Sequence, residues 1–191
     1  DGTYPLPEAQ MDRFMFKLVV HNPSLDELMG IVNMTQKTMS EVSEAACNGE
    51  QLLKMRETAN QIPVADEVMR YAMELCAATQ PDGECATKTA KKYIRLGASP
   101  RAGQSLISAA KVKALMAGRY NVAYSDLNEL AYPVLRHRMK LNFEAIAERV
   151  SPDDIIGMII GEVSEKYGLS DKKAEKAEKE TKDKKKAKSG K

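Results

Sequence analysis

Arg101 is the residue whose type and place most suggest chemistry. It ends the run Gly97-Ala98-Ser99-Pro100-Arg101. There Ser99 reads as a helix N-cap and Pro100 as the first helical residue, where its missing amide costs nothing. A cation in the first turn is opposed by the helix dipole, so stability alone would not select Arg101. Two readings stay open on spacing alone: an exposed arginine or one paired with a nearby acid, and a group that meets an anion held at that helix end. Other chemistry is sparse. Cys47, Cys76 and Cys85 form no C-x-x-C pair and His21 and His137 are isolated, so no metal-ligating set is expected. Cys76 lies on an apolar helical stripe and reads as a small buried hydrophobe, which suits a reducing compartment. The chain contains no G-x-x-x-x-G-K-[ST], no G-x-G-x-x-G, no H-E-x-x-H and no nucleophile elbow. Gly97–Gly103 has the wrong glycine spacing, and no Lys, for a phosphate loop.

The elements that must carry Arg101 are helical almost throughout. Ser24 and Glu27 have capping-box spacing, and Leu25, Leu28, Met29 and Val32 follow on one helical face, in a helix expected to run to about Ala46. A shorter helix is expected over Gln51–Asn60. Val64, Val68, Tyr71, Ala72, Leu75 and Cys76 form a further stripe, closed by Pro81-Asp82-Gly83. Thr87–Leu96 reads as an amphipathic helix. After Pro100, the positions Leu106, Ile107, Ala110, Ala114 and Ala117 predict a buried face reaching Gly118. The next helix starts at Ser125-Asp126 and turns Leu127, Leu130, Ala131, Val134 and Leu135 inward. Pro133 should break or kink it. Arg136-His137-Arg138 follows as a basic cluster that suits a helix C-terminus. A last helix spans Pro152–Tyr167, with Gly157 and Gly161 spaced for close helix packing. Phe14–Val20 alone reads as a strand, and one strand needs partners. The fold class expected is all-α, a bundle of six or seven helices with one residual N-terminal strand.

Composition agrees. The 191 residues are 43% hydrophobic and 29% charged, with 5% aromatics, no Trp and 11 Met, a mix that favours helices over a β-sandwich. No apolar run approaches the roughly 20 residues that cross a bilayer. The net charge of +2 hides a split: residues 170–191 hold ten Lys against five acids, leaving 19 basic and 22 acidic residues before them. A basic tail on a mildly acidic body is not the clustered positive face of a nucleic-acid-binding domain. The tail has little to bury and is expected to be disordered or fraying helix.

Two stretches carry a resemblance. Gly2–Ser24 (GTYPLPEAQMDRFMFKLVVHNPS) resembles the segment after the sensor-1 strand of MoxR-type AAA+ ATPases. Gly97–Met139 (GASPRAGQSLISAAKVKALMAGRYNVAYSDLNELAYPVLRHRM) resembles the sensor-2 region and lid of the same family, in the same order. The resemblance implies that 1–22 is the end of an AAA+ α/β core, 23–139 the helical lid, 140–169 a helical extension and 170–191 the basic tail. It implies that Arg13, in the MDRF turn, is the arginine finger, reaching a neighbouring subunit's nucleotide. Arg101 would be the sensor-2 arginine, touching the γ-phosphate from the lid of the same subunit.

The parent protein would then be a cytoplasmic ATPase using ATP and Mg2+, a homo-oligomeric ring and most simply a hexamer. It would act as a chaperone that assembles or matures partner complexes, including partners with von Willebrand A domains, with no membrane span and no specific nucleic acid. Because Walker A and Walker B segments are absent, the 191-residue chain alone is expected to bind no cofactor, to hydrolyse no ATP and to form no stable ring. Two other classes compete with this reading: a helical protein-interaction module without a nucleotide role, and the lid of a chelatase-like or replicative-helicase-like AAA+ protein.

Overall fold

The computed structural model describes Tyr4 and residues 6–36 and 45–169. The tail at 170–191 lies outside the described residues, as do 37–44; Ala45 and Ala46 are described and are not helical, so the helix expected to run to about Ala46 does not reach it. The chain divides into two units, one formed by the residues up to Lys17 together with those from Ile62 onward, the other by Leu18–Gln61.

The smaller unit holds α2 (Leu25–Gln36) and α3 (Gly49–Asn60). α2 starts as the sequence predicts: Ser24 N donates to Glu27 Oε2 at 2.7 Å and Glu27 N donates back to Ser24 Oγ at 3.4 Å, a reciprocal cap. α3 starts on a second such box, Asn48 with Gln51. The apolar stripe Leu25, Leu28, Met29 and Val32 is exposed rather than buried.

The larger unit is a helical bundle. A short turn, α1 (Glu8–Met11), is followed after the other unit by α4 (Asp66–Ala77), α5 (Lys88–Tyr93), β1 (Ile94–Leu96), α6 (Pro100–Met116), α7 (Tyr124–Leu135), β2 (Lys140–Leu141), α8 (Phe143–Ala147) and α9 (Pro152–Lys166). α6 packs on α4 and α7, and α9 closes the bundle against α4, α5 and α7. Tyr71, Leu75, Leu106, Leu127, Leu135, Ile155, Ile156 and Ile159 are each less than 2% exposed and form its centre. Inside it the Tyr71 hydroxyl donates to Asn128 Oδ1 at 2.6 Å and lies 2.8 Å from Ser164 Oγ, so a buried polar group stays satisfied. The rings of Tyr124 and Tyr167 meet Tyr71 edge-on at 5.1 and 5.0 Å.

The helical class holds, with nine helical segments among the described residues where six or seven are expected from sequence. Several particulars differ. Phe14–Val20 forms no strand; without a second strand, Lys17 N donates instead to the Pro133 carbonyl at 2.9 Å. The strands that do form come from elsewhere: the helix expected over Thr87–Leu96 ends at Tyr93, and Ile94 and Leu96 pair antiparallel with Leu141 and Lys140. α7 runs through Pro133 to Leu135. Leu130 is only partly buried, packed against the core, and Ala117 is exposed. Gly157 does permit close packing, since a Cβ there would lie 3.3 Å from the Tyr132 hydroxyl, whereas Gly161 faces open space.

Two glycines set the ends of α6. Gly118 has φ +68° and terminates it, with Arg119 N returning to the Ala114 carbonyl at 2.9 Å. Gly97 leads into it and rests on the backbone of Thr79, where a Cβ would come within 2.5 Å of the carbonyl oxygen. Ala98 N donates to Thr79 Oγ1 at 2.8 Å and Gln80 Nε2 to the Ala98 carbonyl at 2.9 Å. The turn before Arg101 is therefore locked to the end of α4.

Candidate functional site

Ser99 caps α6 as expected, its Oγ accepting from Arg101 N at 3.3 Å. The same hydroxyl lies 2.9 Å from both carboxylate oxygens of Asp12 and donates to them. Arg101 is half exposed and places Nη1 2.8 Å from Asp12 Oδ2; among the described residues nothing else engages its guanidinium. Its paired-acid reading is thus realised, and most of its donors remain outward. Asp12 also stands 3.3 Å from Nε of Arg138. One carboxylate, the residue immediately before Arg13, therefore gathers the cap and the arginine of α6 with a third group from the end of α7.

Arg138 is the group that sequence reading missed. It is 5% exposed, and its Nη2 donates to the carbonyls of Asp12 at 3.2 Å and Phe14 at 2.6 Å and to Ser105 Oγ at 3.1 Å. Nη1 donates to Val134 O at 2.5 Å and Met15 O at 3.2 Å. Its neighbours act on the same segment. His137 Nε2 donates to the Phe14 carbonyl at 2.9 Å, which puts its proton on that nitrogen. Arg136 grips Asp153 through two bonds of 2.7 Å and gives Nη1 to the Lys17 carbonyl, also at 2.7 Å. The basic cluster does more than favour a helix dipole: its three side chains hold residues 12–17 to the bundle, replacing the strand partner those residues lack. The signal available beforehand was an excess of donors, since three adjacent donor-rich side chains exceed what one helix end needs.

The electrostatics follow from this packing. Burial pushes the Asp12 carboxyl up, yet the Ser99 and Arg101 hydrogen bonds and the charge of Arg138 outweigh it and hold it below the usual carboxylate range. Burial works against the charge on Arg138, and Asp12 offsets part of that cost. His137 is pushed down by burial and stays neutral near pH 7. Beside this network Glu8, Ser99, His137 and Lys140 line a cleft of about 280 Å³.

Arg13 itself is exposed, and no carboxylate lies within ion-pair reach of it among the described residues. Its backbone is pinned by Arg13 N to Gln10 O at 3.1 Å and by the bonds of Arg138 on either side. The arrangement thus offers two outward guanidinium groups, Arg13 and Arg101, on residues tied through one carboxylate. The described residues contain no cluster of His, Cys, Asp or Glu that could hold a metal, and no helix among them is long and apolar enough to cross a membrane.

Residues 86–159 match the family described as the AAA lid domain. The chaperone MoxR1 of Mycobacterium tuberculosis is 35% identical over 164 residues, 86% of this chain and 43% of that protein. The MoxR protein of Paracoccus denitrificans is 27% identical, over 74% of this chain and 45% of its own length. The chain belongs to the MoxR-type AAA+ family.

This MoxR-type chain is also 32% identical to the uncharacterised YeaC protein of Bacillus subtilis, over 85% of its length and 48% of YeaC. A crystal structure of a candidate ATPase from Cytophaga hutchinsonii superposes with a TM-score of 0.76 at 34% identity, covering 84% of this chain and 49% of that one. The MoxR-type chain spans a little under half the length of the curated relatives it matches.

Proposed function

We propose that this chain supplies the lid and the phosphate-facing arginines of an ATPase that couples ATP binding and hydrolysis to chaperone-like assembly or maturation of partner complexes. The observation that carries the reading is the pairing of an exposed, unneutralised Arg13 with a half-exposed Arg101 through Asp12. An exposed arginine and a half-exposed one with most of its donors outward suit polyphosphate oxygens. Arg13 acts as the finger that neutralises charge spreading on the transferred phosphoryl. Fingers of this kind contribute roughly 10³–10⁵ in rate in other phosphoryl-transfer enzymes. Arg101 acts as the sensor of the terminal phosphate. On this reading Arg101 serves the triphosphate of its own subunit and Arg13 that of the neighbour across a subunit boundary, with Asp12 joining the two.

A homo-oligomeric ring, most simply a hexamer, provides that boundary, and proteins carrying von Willebrand A domains are the partner class proposed. ATP is bound with Mg2+ in the full-length protein. In the full-length protein, Arg101→Ala is expected to lower ATP turnover by about 10²-fold or more while unfolding within about 1 kcal/mol of the parent, as befits a half-exposed ion pair. Unchanged turnover would remove the nucleotide role and favour a helical interaction module.

A further inference from the structure

We propose that Asp12 is a positioning residue that couples the two arginines, so that a phosphate engaged by Arg101 fixes, through the Asp12 carboxylate, where Arg13 is delivered. This rests on the roles assigned above to Arg13 and Arg101 and adds the part that joins them. Asp12 makes no contact of its own with phosphate; as an anion it would repel one. Its value lies in what it grips. The carboxylate takes Ser99 Oγ with both oxygens at 2.9 Å and Arg101 Nη1 at 2.8 Å, both on the first turn of α6. Its own carbonyl accepts from Arg138 Nη2 at 3.2 Å, and Arg138 in turn holds the Phe14 carbonyl on the other side of Arg13.

Arg13 is thereby framed on both sides, and the frame is bolted to the helix that carries Arg101. A side chain that only neutralised Arg101 would not need the second oxygen on the Ser99 cap. One that only stabilised the fold would not need to leave the remaining Arg101 donors outward. Nη1 alone is committed to Asp12, so Nη2 and Nε can take a phosphate without breaking the strut. A shift of Arg101 toward a bound anion then displaces Asp12, and the next residue moves with it.

The test is a double-mutant cycle on ATP turnover by the full-length protein. Asp12→Asn keeps the shape and removes the charge. It should lower kcat by about tenfold or more with KM for ATP changed less than about twofold, since misplacement of a reacting group by an ångström costs up to about 10²-fold. In an Arg13→Ala background the same change should cost less than about twofold, because a coupled pair is not additive. A merely structural Asp12 gives independent losses that multiply in the double variant, and that result overturns the proposal, as does an unchanged kcat. Should Asp12→Asn fail to fold, Asp12→Glu keeps the charge on a longer arm. It must then show the same kcat loss and the same masking by Arg13→Ala, and full activity would overturn the proposal. If Arg13→Ala and Arg101→Ala both leave turnover intact, the nucleotide reading itself has failed and the coupling falls with it. That outcome is distinguishable because it appears in the single variants alone.

Discussion

Arg138 is buried against the turn that carries Arg13, Arg13 is exposed on it, and the two arginines answer to different physics. Arg138 is buried, paired with Asp12 and bonded to four backbone carbonyls and the Ser105 hydroxyl. Arg138→Ala takes from Asp12 one of its cations and from those carbonyls a buried donor, and breaking a buried pair in this way costs about 3–5 kcal/mol. Arg13→Ala removes an exposed side chain and should stay within about 0.5 kcal/mol. Denaturant unfolding of the two variants checks the contrast; equal losses would show that the clamp is not where the stability lies. Asp12 adds a pH signature. Its carboxyl is held below the ordinary range, so the stability it contributes is complete above about pH 4 and is lost as pH falls through its lowered value. The difference in unfolding midpoint between the parent and Asp12→Asn should therefore narrow on going from about pH 6 to about pH 3. A gap that stays constant would mean that the charge is not what Asp12 contributes.

Among the elements, α6 was the most legible, because its signals are local. A Ser-Pro start and a glycine stop are written in adjacent residues, and Ser99, Pro100 and Gly118 do in the structure what their types demand. Arg101's placement was equally legible, whereas its partner was not: Asp12 lies 89 residues away, and no periodicity reports such a contact. Phe14–Val20 shows the reverse failure. Its β-type residues are real, but a strand is a pairing rather than a composition, and arginine donors with one backbone bond to Pro133 took the place of a neighbour. Ile94–Leu96 was absorbed into a helix for want of any local sign of Lys140–Leu141. Gly97 matters at this scale because it lets the turn before α6 lie on Thr79. Gly97→Ala puts a methyl group within 2.5 Å of a backbone oxygen and should destabilise by about 1–3 kcal/mol through overpacking. At Gly103 the added methyl meets only the flexible end of Met73, so Gly103→Ala should cost clearly less. Thermal unfolding of both variants decides this, and a larger loss at Gly103 would contradict it.

For the whole molecule, the division of the chain is the feature with the widest consequence. The turn bearing Arg13 belongs to the same unit as α6 and Arg101, although the sequence between them passes through a separate unit over Leu18–Gln61. Arg13 and α6 are thus carried as one piece, which is how a helical chain spanning under half of its relatives' length can furnish both of the proposed phosphate-facing arginines. The sharpest check is complementation in mixed rings of the full-length protein. One variant, Arg13→Ala, keeps its own nucleotide site; the other keeps Arg13 but has that site disabled outside this chain. Each alone should retain only a small, measurable residual turnover, lower by roughly 10³-fold or more. Mixed in equal amounts, the head-to-tail contacts of a randomly assembled ring would put an intact finger against an intact site at about a quarter of the interfaces, and ATP turnover should return to a matching fraction. Mixtures that stay at the residual level at every ratio, although the subunits co-assemble, would contradict the claim that Arg13 completes a neighbour's site.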